Sequence, residues 1–174
     1  MNRIEDCIAF LIGKAGQQIT RRAREKLTAH GVTPTQYAVL KVLWEQDGQS
    51  AADLGVRLLI DSATITGVVD RLQAAGLLER RPHTEDRRVH NLFLTAHGGA
   101  LQRPLDAAMD LLNDEVAREM GSDAQTLWAA LRRLGDVRPG DGRIGDGRIG
   151  DVRLGDSRLG DGRLGDSRLD DGVG

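Results

Sequence analysis

The sequence predicts a mainly α-helical chain carrying one small β-hairpin, and three observations lead to that expectation. The stretch from Asp61 to Leu94, DSATITGVVDRLQAAGLLERRPHTEDRRVHNLFL, places Ile65, Val68, Val69 and Leu72 at helical spacing, then offers two short apolar runs around a polar turn. Just before it, Gln49-Ser50-Ala51-Ala52-Asp53-Leu54-Gly55 reads as a short Ser-capped helix, with Leu58, Leu59 and Ile60 packing the turn between the two helices. Both ends of the globular part carry long apolar stripes with no sheet to cover them, which calls for a second chain.

Taken in order, the residues from about Asp6 to His30 form one long helix. Ile8, Leu11, Ile12, Ala15, Ile19, Ala23 and Leu27 recur at threes and fours, and Gly31 is the stop. Thr33 caps the next helix with Pro34 in its first turn. That helix is largely buried through Tyr37, Val39, Leu40, Val42, Leu43 and Trp44 and ends near Gly48. In the central unit, Asp61 or Ser62 is the N-cap and Gly76 supplies the left-handed terminating residue. Leu77 and Leu78 open the hairpin, the polar stretch from Pro82 to Arg88 is its tip, and Val89, Leu92, Phe93 and Leu94 make the return strand. Thr95 or Ala96 opens another helix, interrupted early by Gly98, Gly99 and Pro104. Leu105, Met109, Leu112, Val116 and Met120 continue it as far as Gly121-Ser122-Asp123. Asp123 can cap a last helix holding Leu127, Trp128, Leu131 and Leu134. From about Asp136 the chain becomes a five-residue repeat of the GDGRI and GDSRL type. A β-helix built from it makes fewer than the roughly three coils a solenoid needs, so a flexible, charge-balanced tail is the favoured reading.

The chemistry of the central unit suits double-stranded DNA. Ser62, Thr64 and Thr66 lie near the start of a helix whose exposed face is small and polar, so it can enter a major groove and bring hydroxyls to base edges or phosphates. Arg71 lies on the same polar side, and a hairpin tip carrying Arg87 and Arg88 can reach the adjacent minor groove or backbone. That combination is a winged helix-turn-helix. The bland alternative is an ordinary αββ unit with solvated arginines, and it is the preceding Ser-capped helix that favours the DNA reading.

Composition sets the outer bounds. With 174 residues, 40% hydrophobic and 29% charged, the chain has room for one domain and an appendage: a globular part over 1–135, its DNA-binding lobe at about 34–95, and the repeat over 136–174. Aromatic residues are only 3%, which argues against a stacking platform for single strands. The net charge of −2 announces no polyanion partner, but Arg71, Arg80, Arg81, Arg87 and Arg88 crowd one region, and Arg21, Arg22, Arg24 and Lys26 form a second cluster. One cysteine excludes an internal disulfide framework, and no apolar run is long enough to span a membrane, so a cytoplasmic protein is expected. His30, His83, His90 and His97 show no metal-ligand spacing. No nucleophile–base order, apolar carboxylate pair or phosphate loop is present, and neither an enzyme nor a cofactor is expected.

From TPTQYAVLKVLWEQDGQSAADLG through to the LTAHG that follows the hairpin, the sequence resembles the MarR family of bacterial transcription regulators. The similarity runs from about Ile4 to Leu134. Its most specific pieces are Thr33-Pro34-Thr35-Gln36, Asp70-Arg71-Leu72 to Gly76-Leu77, Asp86-Arg87-Arg88, and Leu94-Thr95 to Gly98. The resemblance implies a homodimer interlocked by the first and last two helices of each chain, bound to a pseudo-palindromic operator. It implies that Arg88 is the wing residue in the minor groove with Asp86 orienting it, although the residues alone do not rank Arg88 above Arg87. It also implies a repressor released by a small effector, an aromatic acid or phenolic, held between the dimer helices and the DNA-binding lobe.

Leu11, Arg22, Tyr37 and Trp44 are the candidate lining of that pocket. Arginine pairs a carboxylate bidentately and Tyr37 offers a polar tip, while Tyr37 and Trp44 at helical spacing also suit a core. The basic run from Arg21 to Lys26 accommodates a larger anion such as an acyl-coenzyme A thioester. Cys7 stands where some family members hold a peroxide-sensing cysteine, but Leu11 and Arg21 occupy the places of the supporting tyrosines, so packing is the favoured role. Two readings therefore compete with effector release: a Cys7 redox switch and a ligand-independent architectural protein.

Overall fold

The computed structural model describes residues 3–83 and 90–136. Among these described residues, seven α-helices and three short strands run in the order α1 (Ile8–Thr28), α2 (Pro34–Glu45), β1 (Gln49–Ser50), α3 (Ala51–Leu58), α4 (Ser62–Ala74), β2 (Leu78–Pro82), β3 (His90–Leu94), α5 (Ala96–Ala100), α6 (Gln102–Met120) and α7 (Ala124–Gly135). The mainly helical architecture with a small antiparallel sheet is the winged helix-turn-helix that the sequence predicts. The expected tail lies outside the described residues.

Most boundaries follow from local chemistry. Thr33 and Gln36 close a reciprocal capping box at α2, the Gln36 amide donating to Thr33 Oγ1 at 3.3 Å and Thr33 N–H donating to Gln36 Oε1 at 2.8 Å. Ser50 and Asp53 repeat the arrangement at α3, and Asp61 caps α4 by accepting from the Thr64 amide at 2.8 Å. Gly31 and Gly76 take left-handed φ of 66° and 67°, the conformation expected of them as helix stops.

Two expectations are revised. Gln49 and Ser50 form a third strand before α3 begins, pairing with Leu92 and Asn91, so the sheet order is β1-β3-β2. Leu59, read as packing the turn after α3, is instead 85% exposed. It ends α3 in the left-handed region at φ 53°, and there its side chain cannot reach the core that Leu58 and Ile60 join.

The core gathers around α4. Ile65, Val68, Val69 and Leu72 are buried with Val39, Leu40, Val42 and Leu43 of α2, Leu54 of α3, and Leu78 and Leu92 of the sheet. Leu105 and Ala108 of α6 complete the same cluster, so the start of α6 belongs to this lobe. Further along, α6 lies beside α1. Ile8, Leu11 and Ile12 of α1, Leu111 and Met120 of α6, and Leu131 and Leu134 of α7 remain exposed within one chain. Among the described residues no helix is long and apolar enough to cross a membrane.

Gly98 shows how tightly α5 docks. The sequence suggested only a helix interruption, yet a Cβ at this position would lie 2.0 Å from the Leu77 carbonyl oxygen. Trp44 Nε1 donates to the Gly98 carbonyl at 3.1 Å from the other side. Gly98→Ala is therefore expected to destabilise the fold by about 1–3 kcal/mol, the range for overpacking a close contact. Gly99→Ala, whose added methyl meets nothing within 4 Å, is the control. Urea denaturation of the two variants checks the difference.

Candidate DNA-binding surface and interlobe contacts

With its apolar stripe buried, α4 presents Ser62, Thr64, Thr66 and Arg71, and all four side chains are exposed. At 3.6 residues per turn they flank a central strip of Ala63, Gly67, Asp70 and Ala74, with Ser62 and Thr66 on one side and Thr64 and Arg71 on the other. Three of the four strip residues are small, so little side-chain bulk keeps the helix backbone off a groove floor. Thr64 Oγ1 donates to Asp61 Oδ2 at 2.7 Å, and Thr66 Oγ1 donates to the Ser62 carbonyl at 2.7 Å. Their protons engaged, both threonines turn lone pairs outward and so suit base-edge donors such as the amino groups of adenine and cytosine. The Thr64 hydroxyl and amide bonds hold the Asp61 carboxyl below the usual carboxylate range.

The structure divides the arginine cluster that the sequence left undivided. Arg80 donates from Nη2 to Asp70 Oδ1 and from Nη1 to Gln73 Oε1, both at 2.6 Å, tying β2 to the exposed face of α4. It neutralises Asp70, which would otherwise repel phosphates in the middle of that face. Arg81 lies 4.4 Å from the Phe93 ring centroid and donates through Nε to Glu79 at 2.8 Å. Arg80 thus fastens the hairpin to α4, and Arg81 serves the hairpin's own structure. Arg71, by contrast, forms no ion pair among the described residues and is available to a phosphate. Asp86, Arg87 and Arg88, the expected wing residues, lie outside the described residues.

The candidate effector residues fall on the contacts between α1, α2 and α6. Arg22 of α1 donates to Glu115 Oε2 and Glu119 Oε2 of α6, each at 3.0 Å, and Lys26 Nζ donates to Glu115 Oε1 at 2.6 Å. The bonds from Lys26 and then Arg22 hold the Glu115 carboxyl below its ordinary value of 4.5. Tyr37 and Trp44 meet edge to face with ring centroids 6.1 Å apart, and both pack against the core. The Tyr37 hydroxyl donates to Asp106 Oδ1 at 2.9 Å. Burial first, and that bond second, push its pKa well above the usual phenol value. Leu11 lies further towards the start of α1 with its side chain exposed, among the apolar residues of the uncovered stripe. Cys7 is half-buried at the N-cap of α1. Nothing in the residue pattern marks Asp106, Glu115 or Glu119 as partners, because each acts across 65 or more residues of chain.

Comparison with known proteins assigns this arrangement. The family model "MarR family" matches residues 32–90. The HTH-type transcriptional regulator TtmR of Methylorubrum extorquens is 34% identical over 135 residues, covering 78% of this chain and 67% of the relative. This chain belongs to the MarR family. The crystal structure of a probable transcriptional regulator from Pseudomonas aeruginosa matches this MarR-family chain at a TM-score of 0.71 and 33% identity, covering 76% of it and 99% of the other. The HTH-type transcriptional repressor NicR of Pseudomonas putida is 31% identical over 119 residues, 68% of this chain and 73% of that one. The protein is accordingly a DNA-binding transcription regulator of the MarR family, and its α3 and α4 are the helix-turn-helix.

The Glu115 cluster sets a pH dependence. A carboxyl whose folded pKa is depressed contributes stability that is fully present above its unfolded value and is lost as pH falls through the folded value. The stability gap between wild type and Glu115→Gln is thus expected to be widest near neutral pH and to close as pH drops below about 4.5. Denaturant midpoints for both proteins from pH 7 to pH 3 check this, and a gap that stayed constant would deny Glu115 the role.

Proposed function

We propose that this MarR-family regulator is a homodimeric repressor that leaves a pseudo-palindromic operator when a small anionic effector binds. The observation that carries DNA recognition is α4 itself: a fully buried apolar stripe beneath an exposed face of small residues, hydroxyls and Arg71. The homodimer reading is supported by the apolar residues that α1, α6 and α7 leave uncovered in one chain. A relative named as a repressor, at 31% identity, favours repression over activation. In this reading Ser62, Thr64 and Thr66 meet base edges, Arg71 meets the backbone, and Arg88 or Arg87, oriented by Asp86, enters the minor groove.

An aromatic acid, a phenolic or an acyl-coenzyme A thioester is the proposed effector class, with Leu11, Arg22, Tyr37 and Trp44 as lining. The support is chemical. Arg22 and Lys26 are already matched to protein carboxylates, and a ligand carboxylate can exchange for one of these without leaving a cation unpaired. Binding that favours a dimer with altered spacing between its two α4 helices then lowers DNA affinity by linkage.

The test is an anisotropy titration against the duplex immediately upstream of the protein's own gene. A scrambled duplex is the control, with several salt concentrations and a panel of aromatic acids and their coenzyme A thioesters. Selective binding relieved by a panel member is expected; equal affinity for both duplexes would point to an architectural protein. Arg88→Ala is expected to weaken binding by about 1–3 kcal/mol, and Arg71→Ala to weaken it across sequences while lowering the salt slope by roughly one. Unchanged binding by both Arg87→Ala and Arg88→Ala would remove the wing from the interface.

A further inference from the structure

We infer that Asp106 is a positioning residue for DNA recognition: with Tyr37 and Lys41 it forms a polar latch that sets how the DNA-binding lobe is held on the long helix α6. The inference rests on the proposed operator binding and adds the residues that keep the two α4 helices in register.

The geometry is specific. Lys41 Nζ donates to both carboxylate oxygens of Asp106 at 2.9 Å, and the Tyr37 hydroxyl donates to Oδ1 at 2.9 Å. Tyr37 and Lys41 are one helical turn apart on α2, so both reach the same point on α6. All three groups are partly buried, which strengthens each bond over its worth in open solvent. Placement gives the latch its leverage. α2 shares one packed core with α4 through Val39, Leu40, Val42 and Leu43, so the two helices move as one body. α6 touches that core through Leu105 and Ala108, and several turns later it is bound to α1 through Glu115 and Glu119. Apolar contact by Leu105 and Ala108 is non-directional and tolerates small rotations of α6 against α2. Three hydrogen bonds converging on the next residue, Asp106, do not. The latch thus supplies the directional constraint between the lobe that carries α4 and the helix that runs on to α1.

A charge-swap cycle tests the inference. Lys41→Asp, Asp106→Lys, the double swap, and the milder Asp106→Asn and Tyr37→Phe are titrated against the upstream duplex. Sedimentation and thermal melting verify the dimer and the fold. Lys41→Asp and Asp106→Lys are each expected to lose at least tenfold in operator affinity, and the double swap to recover to within threefold of wild type. Spin labels at Ala52→Cys in a Cys7→Ser background report the distance between the two helix-turn-helix units, a readout that loss of stability alone does not move. That distance distribution is expected to broaden or shift in Asp106→Asn and to match wild type in the double swap. Folded single variants that bind as wild type, or a double swap no better than the weaker single, would overturn the latch. If the charge reversals fail to fold, Asp106→Asn and Tyr37→Phe decide by the same distance and affinity criteria. A wild-type protein that shows no preference for the upstream duplex would instead sink the operator reading on which the latch depends.

Discussion

The burial of one face of α4 is the constraint from which the working surface follows. Ile65, Val68, Val69 and Leu72 are almost completely withdrawn from solvent against α2, α3 and the sheet. Turning the helix by one residue about its axis would bring Asp70 and Gln73 towards the core in place of Val69 and Leu72, at a cost of a few kcal/mol for the desolvated polar groups and the lost apolar burial. The rotation of the recognition helix is therefore set by hydrophobic packing. The hydroxyls and small residues face outward because the core holds them there. Stability and recognition lie on opposite faces of a single helix, and substitutions on the two faces should separate cleanly into losses of folding and losses of binding.

Charge in this protein works by position. A chain with a net charge of −2 offers DNA no general attraction, and the arginine-rich stretch around the hairpin looks like the compensation. The structure shows two of those arginines, Arg80 and Arg81, engaged with Asp70, Gln73, Glu79 and the Phe93 ring. Arg80 nonetheless covers the carboxylate in the middle of the exposed face of α4, which in the proposed reading removes a repulsion of phosphate. Counting basic residues overstates the electrostatic footprint, whereas counting cations left without an internal partner measures it.

What could be read from the sequence was whatever the chain encodes within a turn or two. Thr33-Pro34, Ser50, Asp61, Gly76 and Thr95 each mark a helix end through a group three or four residues away, and each boundary falls within a residue or two of its marker. The stripe of α4 was legible for the same reason. Features that depend on distant chain were not. Gln49 and Ser50 become a strand only because Leu92 and Asn91 arrive beside them, and Gly98 must be glycine only because the Leu77 carbonyl lies against it. Leu59 looked like a core residue by type, and only its left-handed backbone shows that it points outward. The contacts of Arg22 and Tyr37 were equally hidden: a ligand-ready arginine and tyrosine are recognisable by type, but not the carboxylates that already occupy them. The roles of Arg88 and Asp86 came from the family resemblance alone, which local chemistry did not distinguish from a role for Arg87.

The carboxylates of α6 unite these observations. Asp106, Glu115 and Glu119 accept hydrogen bonds from Tyr37 and Lys41 of α2 and from Arg22 and Lys26 of α1, so one helix presents carboxylates to both of its neighbours. In the proposed reading an anionic effector that reaches Arg22 and Lys26 finds both cations already paired with α6 carboxylates. To bind them it would displace a carboxylate, and because that exchange replaces one ion pair with another, the electrostatic gain would be small and the ligand's apolar body would supply most of the affinity. In the proposed reading the displaced carboxylate, Glu115 or Glu119, ties α6 to α1, and its release removes that tie while leaving the non-directional core intact. In the proposed reading the exchange at Glu115 frees α6 from α1, and the separate bonds of Asp106 to Tyr37 and Lys41 carry that movement of α6 to the lobe that holds α4.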